Sequence, residues 1–313
     1  MKHLFGPVPS QRLGISLGID PIPRKVCSFN CIYCEVARTT LLTLERKPYI
    51  PGEEILAELR VWLRENPGRP DYLTFSGSGE PTLNSQIGWM IREIKKRTDL
   101  PVAVITNGST LFLPEVRRDL LAADVVLPSL DAATPETFVK INHPHRDITV
   151  EKLVEGLIRF REEYPGPVWL EILLVHGVND SEEEFQALAG AVQRIRPDKV
   201  HITTVTRPPG FGRAQPAAPE KLQRLQEILG PVARVAVSFS ARAQKTVAAN
   251  LRDAVLELLK IRACTREDMV RALGVPAENL EAELRSLQEQ GRLRLIRFGD
   301  RVFYRIPEEI PSR

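Results

Sequence analysis

Cys27, Cys31 and Cys34 fall in one short run, Cys27-Ser28-Phe29-Asn30-Cys31-Ile32-Tyr33-Cys34. Thiolates spaced that closely can grip one metal centre from a single loop. A four-iron cluster normally takes four Cys ligands. Three ligands leave one iron with an open position, and an open position is where chemistry happens, as opposed to electron storage. The rival is a structural zinc site, which closes with four ligands, usually as two Cys or His pairs. Here the fourth cysteine, Cys264, lies far along the chain, and His3, His143, His145, His176 and His201 supply no matching pair. Three clustered cysteines and one distant one do not make a disulfide framework either. The spacing favours an iron–sulfur cluster over zinc.

Such a loop needs a scaffold. The chain has 313 residues, 43% hydrophobic and 27% charged, an ordinary globular composition. That length suits one large domain and a small one. No run approaches the roughly 18 apolar residues of a membrane span, and the first residues carry no apolar signal core. Unpaired, clustered cysteines without an export signal point to a reducing cytoplasm and no membrane partner. The net charge of +3 is too small to argue for any partner by itself.

Strand-like runs at 14–19, 71–76, 102–106, 124–129, 168–174 and 200–205 alternate with helical runs at 52–65, 84–97, 114–122, 135–141, 150–163, 181–195 and 218–229. In the first helix Ile55, Leu59 and Trp62 recur on one face. One further strand is expected at 234–239. Six βα units in series imply an α/β fold, with a parallel sheet whose crossovers are helices. Residues 1–240 are expected to form this domain.

In parallel α/β barrels the active site gathers where strands end, so each strand end is a candidate. The cysteine loop follows the first strand. The second runs into Ser76-Gly77-Ser78-Gly79-Glu80-Pro81, where glycines permit close backbone approach and Glu80 can accept bonds from an amine. The third ends in Thr106-Asn107-Gly108, where Asn107 either caps the next helix or binds a ligand. The fourth ends in Ser129-Leu130-Asp131, and alternation puts Ser129 and Asp131 on one side; a turn and helix cap is the rival. On the fifth, Glu171 sits between Leu170 and Ile172, and inside a barrel its charge needs a partner. His176 is a weaker candidate. Thr204, Thr206 and Arg207 close the sixth.

The cysteine spacing, completed by the aromatic Tyr33 just before the last cysteine, resembles the radical S-adenosylmethionine (SAM) superfamily. The resemblance implies a [4Fe-4S] cluster on Cys27, Cys31 and Cys34 whose open iron chelates the amino and carboxylate groups of SAM. Reductive cleavage then gives a 5′-deoxyadenosyl radical that abstracts hydrogen from a substrate. It implies a partial (βα)6 TIM-like barrel and an electron donor such as ferredoxin or flavodoxin. Residue by residue, Gly77, Ser78, Gly79 and Glu80 stand where the family binds the SAM amino group, although Ser78 replaces the usual glycine. Ser129 and Asp131 would serve the ribose and carboxylate regions, and Tyr33, Asn107 and Glu171 join the cofactor-binding set. The runs Phe5-Gly6-Pro7-Val8-Pro9-Ser10-Gln11-Arg12-Leu13-Gly14, Ile141-Asn142-His143-Pro144 and Arg207-Pro208-Pro209 resemble the iron–sulfur oxidoreductase branch related to wyosine (modified tRNA guanine) synthases.

Residues 250–308 read differently, as three helices and a hairpin, the order of a winged helix-turn-helix. Thr265 is expected to cap the second helix with Asp268, and Gly274 to end it. The expected recognition helix carries Glu278, Glu281, Glu283 and Glu289 against Arg285, a net of −3, which phosphates repel. The wing carries Arg292, Arg294, Arg297, Arg301 and Arg305 against Asp300, a net of +4. Wing-led contact with tRNA and docking of a protein are both open. The substrate follows the same split: a tRNA base, or a protein, peptide or small metabolite. A metal-binding winged-helix regulator is the non-enzymatic alternative. Cys264 is expected to be a small buried residue of this module.

Overall fold

A computed structural model describes residues 1–10, 12–66, 70–236 and 251–307. β2 (Gly14–Ile19), β5 (Tyr72–Phe75), β6 (Val102–Thr106) and β7 (Val125–Pro128) pair in parallel, in that order. Parallel bridges Val126–Val168 and Ser129–Glu171 carry the order on to β8 (Trp169–Leu174). β9 (Lys199–Thr204) and the short β10 (Ala233–Val235) follow, again parallel. Two-residue strands β3 (Val26–Cys27) and β4 (Leu41–Leu42) clasp the cysteine loop.

Helices return the chain between these strands: α1 (Gly52–Glu65), α2 (Ile87–Lys95), α3 (Pro114–Leu120), α4 (Pro135–Asn142), α5 (Val150–Glu163), α6 (Glu182–Ile195) and α7 (Pro219–Leu229). Their starts follow local chemistry. Thr149 and Ser181 accept the N–H of Lys152 and Glu184, and proline opens α3, α4 and α7, where its missing N–H costs nothing. Burial alternates along β8: Leu170, Ile172 and Leu174 pack under the helices, while Trp169, Glu171 and Leu173 face the other way.

Two local expectations change. The proline-rich run before residue 14 is a strand, β1 (Leu4–Ser10), antiparallel to β2. It lies at the sheet edge with an irregularity between Phe5 and Val8, and an edge is where a strand tolerates proline. The helix expected from 84 begins at Ile87 because Asn84 is committed to a turn: its Nδ2 donates to Pro21 and Ile50 carbonyls, both at 2.9 Å, and its Oδ1 accepts from Gln86 N at 2.9 Å. Of the strand expected at 234–239, residues 237–239 lie outside the described set, as do Gln11, 240, 250 and 308.

The C-terminal elements are α8 (Leu251–Ile261), α9 (Arg266–Leu273), α10 (Ala277–Glu289) and the hairpin β11 (Arg294–Phe298) with β12 (Arg301–Arg305). Val255, Met269, Leu280, Leu284 and Leu287 form their own core. Thr265 and Asp268 exchange both bonds of a capping box, and Gly274 ends α9 in the left-handed region. This module docks on the open edge of the sheet. Val8 of β1 packs against its core, and Phe298 packs against the main one. Arg305, buried, donates to the Pro208 and Pro209 carbonyls at 2.5 and 2.9 Å. Among the described residues no helix is long and apolar enough to cross a membrane.

Candidate functional site

One cavity of about 550 Å3 is lined from β1, β2, β5, β6, β8, β9 and the loops that follow β5 and β7, so the parallel sheet curves around it. Its size lies in the range of small-molecule sites. Of the residues expected at the site, Cys27, Cys31, Tyr33, Cys34, Gly77, Gly79, Glu80, Asn107, Ser129 and Glu171 line it. Ser78 and Asp131 do not; both are buried behind its wall. His176 faces outward beside Asp180.

Each of the three sulfurs meets one N–H donor. Lys25 Nζ lies 3.1 Å from Cys34 Sγ, Asn142 Nδ2 is 3.4 Å from Cys31 Sγ, and Asn107 Nδ2 is 3.6 Å from Cys27 Sγ. Such donors favour a charged sulfur. Burial works the other way in the metal-free chain, pushing the Cys27 thiol up to about 11 and Cys31 higher still. Metal binding must displace those protons, and the donors lower that cost. Among the described residues no three His, Cys, Asp or Glu side chains close on one point as a single ion would need. A four-iron cluster instead takes its thiolates at separate irons.

The loop is held from two sides. Asn30 N and Ile32 N donate to the carbonyls of Asn142 and Ile141 at the end of α4, at 2.9 and 3.0 Å. Gly210 N donates to Cys34 O at 2.7 Å, and a Cβ at Gly210 would come within 2.6 Å of the Ala37 backbone. Thus the segments around 141–144 and 207–210 brace the cysteine loop.

Behind the sulfurs lies a buried polar network. Glu80 accepts from Thr82 N (3.1 Å), Thr82 Oγ1 (2.5 Å), Thr106 Oγ1 (2.6 Å) and Asn107 N (2.7 Å). Asn107 passes this order on, donating to Ser28 Oγ at 2.9 Å as well as to Cys27. Asp131 does the same for Cys31: it accepts from Tyr33 OH, from Asn142 Nδ2 at 2.9 Å and from Leu173 N at 3.0 Å. Burial raises the Asp131 carboxyl to about 6 against these bonds. Both carboxylates therefore orient the amides that face the cysteines.

Gly77 has φ +129°, and a Cβ there would meet Asp20 at 2.5 Å; one at Gly79 would meet Val26 O at 2.0 Å. Asp20 fixes this turn by accepting from Ser78 N at 3.0 Å. The glycines let the turn nest against the cysteine loop.

The profile of the Radical SAM superfamily matches residues 22–189. A UPF0026 protein of Methanocaldococcus jannaschii is 31% identical over 310 residues, 97% of this chain and 96% of that protein.

The chain belongs to the radical SAM superfamily.

It is an iron–sulfur enzyme of that superfamily, whose members use a [4Fe-4S] cluster and SAM and need an electron donor. A protein named GTPase Obg from Brachyspira hyodysenteriae is 45% identical over 226 residues, 72% of this chain; the chain spans only 33% of that protein's length. The solved radical SAM methyltransferase from Sphaerobacter thermophilus shares the fold, with a TM-score of 0.57 at 21% identity over 70% of this chain and 65% of its own. For a radical SAM protein the donor set fits: three sulfurs on one cavity, each with a hydrogen-bond donor.

Several residues of this site carry no sequence signal of their own. Asn142 was visible only as part of a segment. Lys25 takes a left-handed φ of +62°, which no sequence signal announces. Arg12 reaches across the cavity to pair with Glu171, and its Nε is buried without a partner among the described residues. Thr204 lines the cavity, as do Thr206 and Arg207, while its hydroxyl donates to Leu174 O at 2.7 Å. Cys264 is buried, its backbone paired with Tyr304. Burial raises its thiol, opposed by the nearby charges of Arg262 and Arg207.

Proposed function

We propose that the chain cleaves SAM reductively and abstracts hydrogen from a substrate held in the cavity, with Cys27, Cys31 and Cys34 as the cluster ligands. The observation that carries this reading is the set of three donors, Lys25, Asn107 and Asn142, each aimed at a different cysteine sulfur. A bound cluster supplies an electron to SAM and a chelating iron for its amino and carboxylate groups. The protein's part is to hold the thiolates, keep the site enclosed and place SAM along Gly77, Gly79, Asn107, Ser129 and Glu171. Tyr33, Glu80, Asp131 and Ser78 act from behind as positioning residues. The architecture is read as a partial (βα)6 TIM-like barrel over 1–240 and a winged helix over 250–308.

The test is 5′-deoxyadenosine release by anaerobically reconstituted, reduced protein given SAM, beside Cys31→Ala. Release from the parent that falls at least a hundredfold in the variant is expected. Iron-loaded protein that leaves SAM intact with every substrate candidate would sink the reading.

The C-terminal module lines one side of the cavity, and a volume of about 550 Å3 favours a small substrate, a metabolite or a short peptide. A second reading, a tRNA base within the wyosine-related branch, draws on Arg294 and Arg297, both exposed on the hairpin. It loses Arg305, buried against the Pro208 and Pro209 carbonyls of the loop after β9, and Arg301, turned toward Asp268 at 3.7 Å. Under it, Arg294→Glu with Arg297→Glu weakens tRNA binding and flattens its salt dependence; tRNA binding left unchanged by the pair removes it.

A further inference from the structure

The cavity has a second wall, built where the C-terminal module meets the loop after β9. Glu35, next to Cys34, lies 3.7 Å from Arg207 Nε, so this wall begins beside the cysteines. Arg207 Nη1 reaches Asp268 Oδ2 at 2.8 Å and Ala263 O at 2.9 Å. Asp268 also faces Arg271 at 2.9 Å and Arg301 at 3.7 Å. One carboxylate is thus shared among several guanidinium groups.

The charges do not balance. Among the described residues lining this wall, the carboxylates are Glu35 and Asp268, and they are taken up by Arg207 and Arg271, their nearest partners. Arg262 and Arg301 also line the cavity. Arg262 has no ion pair among the described residues, and Arg301 is half exposed and stacks over Phe303 at 5.1 Å. Two guanidinium charges are left over beside the cavity. Guanidinium forks match the oxygens of carboxylate and phosphate groups. A phosphate monoester carries about −1.5 to −2 at pH 7, which matches the surplus; one carboxylate matches half of it.

We propose that Arg262 and Arg301, backed by Arg207, bind a phosphate monoester group of the substrate at the junction of the sheet and the C-terminal module. This names the substrate class for the cavity read above as the reaction chamber, so it rests on that reading. The binding itself does not: phosphate can bind whether or not SAM is cleaved. The module is then a wall of the substrate site, and the substrate is a small phosphorylated molecule whose hydrogen-bearing end points toward the cysteines.

The test is calorimetric titration of the full-length, cluster-loaded protein with inorganic phosphate and with acetate at matched ionic strength. Saturable phosphate binding is expected, with acetate ineffective. Arg262→Gln with Arg301→Gln weakens it at least tenfold, while Arg297→Gln, on the exposed face of the hairpin, leaves it unchanged. Thermal melting reports whether the double variant folds, and Arg262→Gln alone, which breaks no ion pair among the described residues, carries the test if it does not. SAM is expected to leave phosphate binding intact.

Four results overturn the proposal: no saturable binding, equal binding of acetate, unchanged affinity in the arginine variants, or competition by SAM, which would give these arginines to the SAM carboxylate. A dinucleotide phosphodiester that displaces phosphate would assign the wall to a nucleic-acid backbone and overturn it too. Iron content and 5′-deoxyadenosine release from the same preparations report separately on the radical SAM reading.

Discussion

The two walls of one cavity are built on opposite principles. Around the cysteines, each charged or polar side chain of the inner network has a partner. Glu80 is saturated by Thr82, Thr106 and Asn107, and Asp131 by Tyr33, Asn142 and Leu173 N. Low local polarity makes such bonds strong and makes their loss costly. At the C-terminal module, guanidinium groups outnumber the carboxylates that face them. A saturated network fixes one geometry before anything binds; a surplus of one charge is what an incoming ion of the other sign resolves. The first suits a resident cofactor, the second a molecule that comes and goes.

The sharpest way to break that contrast is at Glu80. Glu80→Ala leaves the buried N–H groups of Thr82 and Asn107 and two threonine hydroxyls without their acceptor. The expected loss is about 3 kcal/mol of stability, read by denaturant unfolding, together with a lower iron content because Asn107 is released from Cys27. If the variant unfolds at the parent's midpoint and loads iron equally, the network does not order the cysteine wall. Arg305→Ala is the matching change on the other side. It frees the Pro208 and Pro209 carbonyls and costs about 2 kcal/mol, the scale for bonds to a charged donor. Hydrogen exchange should quicken in α9 and β12 and stay unchanged at β5 and β6. Equal quickening in the sheet would show that the module and the sheet do not separate as units.

Most of the scaffold was legible because periodicity and end signals agreed. The ranges 14–19, 52–65, 102–106 and 150–163 are those of β2, α1, β6 and α5. The capping box at Thr265 and Asp268 was written in two residues. What stayed hidden depended on partners far away in sequence. β1 carries prolines that argue against a strand until its place at an edge is known. Alternation put Asp131 beside Ser129, yet its three donors come from the cysteine loop, α4 and β8. Counting arginines on the hairpin gave the wing its charge, and only docking shows that Arg305 is spent on two carbonyls. The cysteine spacing itself was legible because it is local; the donors that face the sulfurs were not all so, because Asn107 and Asn142 reach them from the ends of β6 and α4 and Lys25 by a left-handed turn of the backbone.

The mildest expected effect is a pH dependence at the turn that backs the cysteine loop. Burial raises the Asp20 carboxyl to about 6 from its ordinary 3.8, although Ser78 and Ile22 bond to it and pull it down. Between roughly pH 4 and 6, then, the folded chain holds a proton there that the unfolded chain releases. Stability tied to this group is greatest at the acid end and falls as pH rises through that window, the reverse of an ion-paired carboxylate. Asp131 and Glu80, also raised by burial, slope the same way, so the readout is a difference between two proteins. Asp20→Asn keeps an oxygen to accept the Ser78 N–H and cannot titrate. Its melting temperature should gain on the parent's between pH 4.5 and 7, by a few degrees at most. Parallel curves for the two would mean that Asp20 is already charged throughout, held by the backbone N–H groups of the turn.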